Sequence, residues 1–216
     1  TYIAVEEPDM HKPSGDLERL LSALKTATGH AEISVDTHLL RPLQPILRKG
    51  NWAVTAAIHQ DHTGALPRLI ALWPGYFEDP VYGLAVDLGS TTIAGHLCDL
   101  TSGEVVASSG LMNPQIRFGE DLMSRVSYAM MNQGGDLEMT EAVRNGLNQL
   151  VSDIAEDANI EPTQILDAVF VMNPVMHHLF LGIDPFELGQ APFALATSDA
   201  LSLPASDLGL NIAPGT

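Results

Sequence analysis

One short segment, residues 82–95, contains the residue types in this chain that are best suited to bind a ligand. Asp87 stands two positions before a run of one glycine and three hydroxyl residues, Gly89-Ser90-Thr91-Thr92. In such a turn the backbone can approach a ligand closely, and converging N–H groups and hydroxyls can donate to phosphate oxygens. The Asp87 carboxylate could hold a hydrated Mg²⁺ beside those phosphates. The alternative is an ordinary hairpin that uses Gly-Ser to reverse direction.

Composition and charge narrow the class of protein. The chain has 216 residues, 45% of them hydrophobic, which predicts a folded protein large enough for one or two domains. Its formal net charge of −17 argues against a nucleic-acid partner and against an anionic membrane surface. Cys98 is the single cysteine, which excludes a disulfide or a cysteine-ligated cluster within these residues. Without a membrane-span or signal pattern, the expected location is cytoplasmic.

The first eighty residues predict a small α+β domain. The expected elements are a strand at 2–5, a helix carrying leucines at 17–24, a strand at 32–35, and a hairpin of strands 52–58 and 66–72 joined by turn residues at 59–64. Residues 38–47 have helical spacing, but Pro42 and Pro45 are expected to break or kink that helix. No catalytic constellation is present, so we expect domain 1–80 to serve as a scaffold or in association.

A second domain, 81–216, is expected after the proline- and glycine-rich boundary at 74–80. The predicted elements are a three-strand meander at 83–88, 92–99 and 104–108, helices near 119–131 and 136–158, and a buried strand at 165–172. We expect Asp136 to cap the longer helix. This order of elements is typical of ribonuclease-H-like nucleotide-binding lobes.

Polar residues after two of these strands are further candidates for the site. Asn173 precedes Pro174, so it could cap the following helix or face a ligand. A second group could line a cleft or serve the fold, and it comprises Asn113, Gln115, Gly119, Asp121 and Arg125. Within it, the spacing of Asp121 and Arg125 predicts a local ion pair.

Three segments, 82–92, 113–125 and 173–182, carry a family resemblance. The first resembles the first phosphate loop of the superfamily of acetate and sugar kinases, heat-shock-70 proteins and actin. Together, the three are similar to the reductive activators of corrinoid proteins. The resemblance implies that 1–80 is that family's middle domain. It implies that 81–216 is the first, ribonuclease-H-like lobe of an actin-like ATPase domain.

The resemblance also implies a cofactor, a partner and site residues. Such activators use ATP hydrolysis to reduce Co(II) corrinoid to Co(I) for a corrinoid protein or methyltransferase, and carry an iron–sulfur cluster in an upstream domain. MgATP would then bind through Asp87, which holds the metal, and through Gly89, Ser90, Thr91, Thr92 and Asn173. The family usually has Gly-Asn-Thr where this chain has Met172-Asn173-Pro174. The chain is expected to be a fragment of a larger ATPase and inactive alone.

Two other functions remain open from the residues themselves. The chain could be a non-catalytic module whose first eighty residues mediate homodimerisation or docking. It could also be a small-molecule kinase that uses the same phosphate turn, although no sugar or acetate site is evident.

Overall fold

The computed structural model describes residues 1–60 and 65–216, and the chain divides into two compact units, Thr1–Asp79 and Pro80–Pro214. Part of the predicted turn at 59–64 therefore lies outside the described residues. Both units combine helices with a mixed sheet, which confirms the predicted α+β class.

The first unit contains one four-stranded sheet and two helices. Its strands, with spatial order β1-β3-β4-β2, are β1 (Tyr2–Ala4), β2 (Ser34–Val35), β3 (Ala53–His59) and β4 (Arg68–Pro74). The predicted hairpin is confirmed, because β3 and β4 pair antiparallel with Ala56 opposite Leu72. The helices are α1 (Asp16–Thr28) and α2 (Leu40–Lys49). Their leucines fill the core together with residues of the sheet, among them Leu20, Leu24, Leu47, Val54 and Leu69.

The prediction that Pro42 or Pro45 breaks the second helix is wrong, while a kink at these prolines stays a prediction. Helix α2 runs unbroken from Leu40 to Lys49 with Pro45 inside it. Pro42 lies in the first turn, where a backbone N–H has no intrahelical partner to lose. The burial of Leu43 and Leu47 on one face offsets the hydrogen bond that Pro45 cannot donate.

The second unit contains a sheet with spatial order β7-β6-β5-β8. The strands are β5 (Tyr82–Leu88), β6 (Thr92–Asp99), β7 (Val105–Met112) and β8 (Ile165–Met172). The antiparallel meander β5-β6-β7 continues into β8, which pairs parallel with β5. This is the expected layout of a ribonuclease-H-like lobe, although β7 extends four residues beyond the predicted 104–108.

Three helices complete the second unit: α3 (Leu122–Met131), α4 (Gly135–Ala158) and α5 (Pro174–Leu181). Helix α4 buries its predicted apolar stripe against the sheet, including Leu147, Leu150 and Ile154. Gly95 in β6 allows this close packing, because a Cβ there would lie 2.9 Å from Ile154 Cδ1. The predicted cap is wrong: Gly134 in a left-handed conformation precedes α4, and Asp136 lies within its first turn.

Among residues 1–60 and 65–216, no helix is long and apolar enough to cross a membrane.

Candidate functional site

The hydroxyl-rich turn and the start of helix α5 lie at the same edge of the second sheet. Leu88, the last residue of β5, is paired with Ile93 of β6 and with Met172 of β8. The turn at 89–92, called the 89–92 loop below, therefore begins beside Asn173, which directly follows β8. Ligands of open α/β sheets bind at this position, outside the carboxyl ends of parallel strands.

Gly89 closes the turn. Its N–H donates to the Thr92 carbonyl at 3.1 Å. A Cβ at position 89 would lie 2.6 Å from the same oxygen, closer than the turn permits. The turn itself therefore requires glycine here, while the close approach of a phosphate to Gly89 stays a prediction.

The carbonyl groups of the loop point into the protein and are held there. The Asn113 side-chain amide donates to the Gly89 carbonyl at 2.8 Å, and the Asn113 backbone N–H donates to the Thr91 carbonyl at 2.8 Å. The guanidinium group of Arg125 donates to the Ser90 carbonyl. In the described part of the chain, the N–H groups and hydroxyls of Ser90 and Thr91 have no hydrogen-bond partner. Donors are thus left available on the ligand side of the loop.

Asp87 is exposed on the sheet face opposite α4. It lies across from Ala94 and Val171, and alternation along β6 places Thr92 on the same face. Over residues 1–60 and 65–216, its carboxylate has no hydrogen-bond or ion-pair partner. The same residues contain no cluster of three or more His, Cys, Asp or Glu suited to a metal ion. A lone carboxylate fits a cation that keeps most of its waters, as Mg²⁺ does.

Asn173 caps helix α5. Its side-chain oxygen accepts a hydrogen bond from the Met176 N–H at 3.0 Å, and Pro174 occupies the first helical position. The structural role suggested by the Asn-Pro pair is therefore confirmed. The half-buried side-chain NH₂ has no partner among the described residues, so a ligand contact by Asn173 stays a prediction.

The group that follows β7 lies behind the loop. Asn113 caps the 3-10 helix Pro114–Phe118 and is 1% exposed. Gln115 is buried and donates from its side chain to the Met139 carbonyl at 2.9 Å. The structure thus assigns these two residues to support of the 89–92 loop and its surroundings.

The local ion pair predicted for Asp121 and Arg125 is wrong, as no such pair forms within the described ranges. Asp121 caps α3, and the hydrogen bond from the Ser124 N–H, at 2.7 Å, helps hold the pKa of its carboxyl below the usual value. Arg125 turns inward to the Gly119 and Ser90 carbonyls. Sequence spacing could not reveal this role, because Ser90 lies 35 positions away from Arg125.

Two family models match the chain in succession. Residues 1–79 match the RACo linker region, and residues 82–216 match the RACo middle region. The sequence resemblance assigns the name middle domain to residues 1–80. The family models instead give the name middle region to residues 82–216 and the name linker region to residues 1–79.

Two similar proteins agree with these matches. The chain is 37% identical over 137 residues to the corrinoid activation enzyme RamQ of Eubacterium limosum. This match covers 63% of this chain and 23% of RamQ. A solved structure of a reductive activator for corrinoid, iron-sulfur protein matches with a TM-score of 0.87 and 31% identity. That match covers 100% of this chain and 34% of the other. The chain thus spans about a quarter to a third of the length of these relatives.

Proposed function

This chain belongs to the RACo family, and on that premise we propose that it takes part in the ATP-dependent reductive activation of a corrinoid protein. In this proposal the activator reduces Co(II) corrinoid to Co(I), and the present residues supply its first phosphate-binding loop. The iron–sulfur cluster that delivers the electron is assigned to a part of the activator outside these 216 residues, since Cys98 alone cannot ligate one.

The observation that supports this proposal is the orientation of the 89–92 loop. Its carbonyls are bound from behind by Asn113 and Arg125, while the Ser90 and Thr91 N–H groups have no protein partner within the described residues. Peptide N–H groups that converge in this way form an anion site. An ordinary hairpin turn would not need a buried arginine and a buried asparagine to fix its carbonyls.

Each predicted site residue has a role in the proposal. The Ser90 and Thr91 N–H groups and the Ser90, Thr91 and Thr92 hydroxyls donate to phosphate oxygens, and Gly89 shapes the turn. Asp87 orients the hydrated Mg²⁺, and the Asn173 side-chain NH₂ donates from the neighbouring strand end. When bound, MgATP supplies the phosphoanhydride bond whose hydrolysis drives the cycle. We assign no general base from these residues.

A titration of the ¹⁵N-labelled chain with MgATP tests phosphate binding at the loop. We expect the amide resonances of Ser90 and Thr91 to shift with ligand, even if the affinity is in the millimolar range. An Asp87→Asn variant should weaken the response to MgATP more than the response to metal-free ATP. Shifts that avoid residues 89–92, or equal responses to both ligands in the variant, would contradict the proposal.

A second candidate function is self-association through residues 1–80. The sheet face of the first unit that is opposite its helices carries two aromatic pairs, an edge-on pair of Tyr2 and Tyr76 and a stacked pair of Trp73 and Phe77. Tyr2 is 51% exposed and Tyr76 is 65% exposed. Exposed aromatic residues of this kind are enriched at protein interfaces.

Sedimentation equilibrium of the whole chain tests this second function. We expect a concentration-dependent dimer, weakened when Tyr2 and Tyr76 are both replaced by serine. A matched double replacement of the exposed Met10 and Met131 should leave the association constant unchanged. A monomer at every concentration would contradict self-association.

A further inference from the structure

Arg125 is a buried positive charge whose hydrogen-bond partners are all neutral. Its side chain is 0% exposed. Nε donates to the Gly119 carbonyl at 3.0 Å, and Nη1 contacts Gln115 Oε1 at 3.4 Å and Met176 Sδ at 3.3 Å. Nη2 donates to the Ser90 carbonyl. Among residues 1–60 and 65–216, no carboxylate forms an ion pair with this guanidinium group.

Burial of the Arg125 charge without a hydrogen-bonded carboxylate lowers the stability of the ligand-free protein. A buried charge is normally paired with an opposite charge, because neutral dipoles only partly replace its hydration. Burial lowers the pKa of Arg125, and the charge of Asp121 opposes this only in part. The guanidinium nevertheless keeps its proton at neutral pH, because arginine is the strongest base among the side chains. The fold therefore keeps a cation, which the charge of Asp121 compensates only in part, directly behind the 89–92 loop.

Peptide geometry connects this cation to the ligand side of the loop. The Ser90 carbonyl and the Thr91 N–H belong to one planar trans peptide unit, so they point in opposite directions. Since Arg125 binds the carbonyl end, the Thr91 N–H points away from Arg125. The Asn113 side chain fixes the preceding unit in the same way, with the Gly89 carbonyl inward and the Ser90 N–H outward.

We propose that Arg125 is the positioning residue of the 89–92 loop and the fixed positive charge behind the phosphate group that the loop binds. This inference rests on the proposed phosphate binding. Arg125 acts through the Ser90–Thr91 peptide, which it orients and polarises, and it does not touch the ligand. The bound phosphate is the anion that compensates the buried charge. The ligand class is a polyphosphate, such as the phosphate chain of a nucleotide.

The test uses inorganic tripolyphosphate with Mg²⁺ and follows the Ser90 and Thr91 amide resonances of the whole chain. Replacing Arg125 with methionine keeps much of the apolar side-chain volume and removes the charge and the donors. We expect Arg125→Met to weaken tripolyphosphate binding by at least about tenfold, which corresponds to about 1.4 kcal/mol. Arg125→Lys keeps the charge without the planar fork and should restore part of that loss.

Arg144→Met is the matched control. Arg144 is half-buried and donates to a carbonyl, that of Phe180 at 3.0 Å, but it makes no contact with the loop in the described part of the chain. Its replacement should leave tripolyphosphate affinity unchanged. A purely structural role of Arg125 predicts instead that lysine rescues no affinity.

A ligand-free measurement separates this inference from the proposed function. Without tripolyphosphate, both Arg125 variants should show altered Ser90 and Thr91 amide shifts, whereas Arg144→Met should leave these shifts unchanged. If the wild-type loop binds no tripolyphosphate, the proposed function fails, and with it the charge role. If it binds but a folded Arg125→Met variant binds equally well, only the inference about Arg125 is overturned. If Arg125→Met does not fold, Arg125→Lys provides the test. Loop amide shifts and a tripolyphosphate affinity of Arg125→Lys that equal those of the wild type would overturn the inference.

Discussion

Two buried arginines of this chain obtain their hydrogen bonds in different ways. Arg19 in α1 is paired with the Asp16 carboxylate, which also accepts a hydrogen bond from Arg48 at 2.7 Å. Arg125 has carbonyl, amide and thioether partners only. The contrast matters because a structural arginine is most simply satisfied by a carboxylate, as in the first unit. The absence of a carboxylate hydrogen-bonded to Arg125 within residues 1–60 and 65–216 agrees with the proposal that the 89–92 loop binds an anion.

Replacement of Asp16 by asparagine tests the electrostatics of the first unit. The Asp16 side chain is buried, which favours its neutral form, but the hydrogen bond from Arg48 and the charges of Arg48 and Arg19 hold its pKa below the usual value. A carboxyl with a lowered folded-state pKa stabilises the fold above its unfolded pKa of about 3.9, and this contribution disappears as the pH falls through the folded pKa.

We therefore expect Asp16→Asn to lower the free energy of unfolding by about 1.5–3 kcal/mol at neutral pH, the range for hydrogen bonds to charged groups. The difference from wild type should shrink towards zero below the folded pKa. Urea unfolding at a series of pH values measures both. Glu18→Gln, an exposed change in the same helical turn, is the control. An effect of Asp16→Asn that is independent of pH would contradict the electrostatic explanation.

At the scale of elements, successive residues along a strand of the second sheet alternate between a buried face and an exposed face. Val86 in β5 is 2% exposed and lies in the core, whereas Val171 in the adjacent β8 is 59% exposed. Asp87 lies opposite Val171 and shares its face, so the same alternation that buries Val86 presents the proposed metal ligand to solvent.

Threonine replacements at these two valines test that alternation, because threonine has nearly the shape of valine and adds one hydroxyl. Val86→Thr should lower the free energy of unfolding by about 1–3 kcal/mol, the cost of burying an unsatisfied polar group. Val171→Thr should change it by less than about 0.5 kcal/mol, as is usual for surface positions. Chemical denaturation of both variants measures the difference. Similar losses at both positions would contradict the assigned faces.

A second test at this scale concerns helix α5 and the segment that follows it. His178 is buried, with Nδ1 2.8 Å from the Pro174 carbonyl and Nε2 accepting the Ala196 N–H at 3.0 Å. The carbonyl requires a proton on Nδ1 and the N–H requires a lone pair on Nε2, so this geometry needs neutral imidazole. Burial is the main cause that lowers the pKa of neighbouring His177.

Because the pKa of His177 is lowered in the folded state, the unfolded chain binds a proton at this residue more readily, with a histidine pKa of about 6.5. Stability should therefore fall as the pH drops below that value. His178→Ala should remove the acceptor of the Ala196 N–H and produce fast amide exchange there at neutral pH, measured by hydrogen–deuterium exchange. The exposed residues 200–203 are the internal reference. Unchanged protection at Ala196 in the variant would contradict the contact.

The sequence was informative where a structural signal is local. The Asn173-Pro174 pair predicted the start of α5, and the apolar run 165–172 predicted the bounds of β8. The prediction that this strand is buried along its whole length is wrong, because Val169 and Val171 are each 59% exposed. Local rules failed where tertiary packing or backbone conformation competes with them. Helix α2 continues through Pro45 because its leucines pack in the core, and the left-handed backbone of Gly134 precedes α4 in place of a cap by Asp136.

The same distinction applies to the candidate site. The run 89–92 identified the loop, since the turn is formed by its own residues. The contacts of Asn113 and Arg125 with that loop could not be predicted, because they join residues 24 and 35 positions apart through the folding of the sheet and α3. The spacing of Asp121 and Arg125 satisfied a helical ion-pair rule, yet burial of the guanidinium against carbonyls took precedence.

At the scale of the whole molecule, the formal net charge of −17 dominates the long-range field. Acidic residues outnumber basic residues by 27 to 10, so like charges repel one another in the compact state more than in the unfolded chain. The polyphosphate ligand proposed for the 89–92 loop would approach against this field. The donors of the 89–92 loop and the buried charge of Arg125 behind them would therefore have to supply the attraction that the long-range field does not.

Added salt should therefore stabilise this protein. Screening shortens the range of repulsion to about 8 Å at physiological ionic strength, and it affects repulsion over long distances more than the few close ion pairs. We expect the midpoints of thermal unfolding to rise by about 2–4 °C between low and physiological salt, the shift that about 1 kcal/mol produces in a chain of this size. Sodium chloride and potassium chloride should act equally, because the effect is screening and not site binding. A fall in the midpoints with salt would mean that attractive ion pairs such as Asp16–Arg48 outweigh the net repulsion.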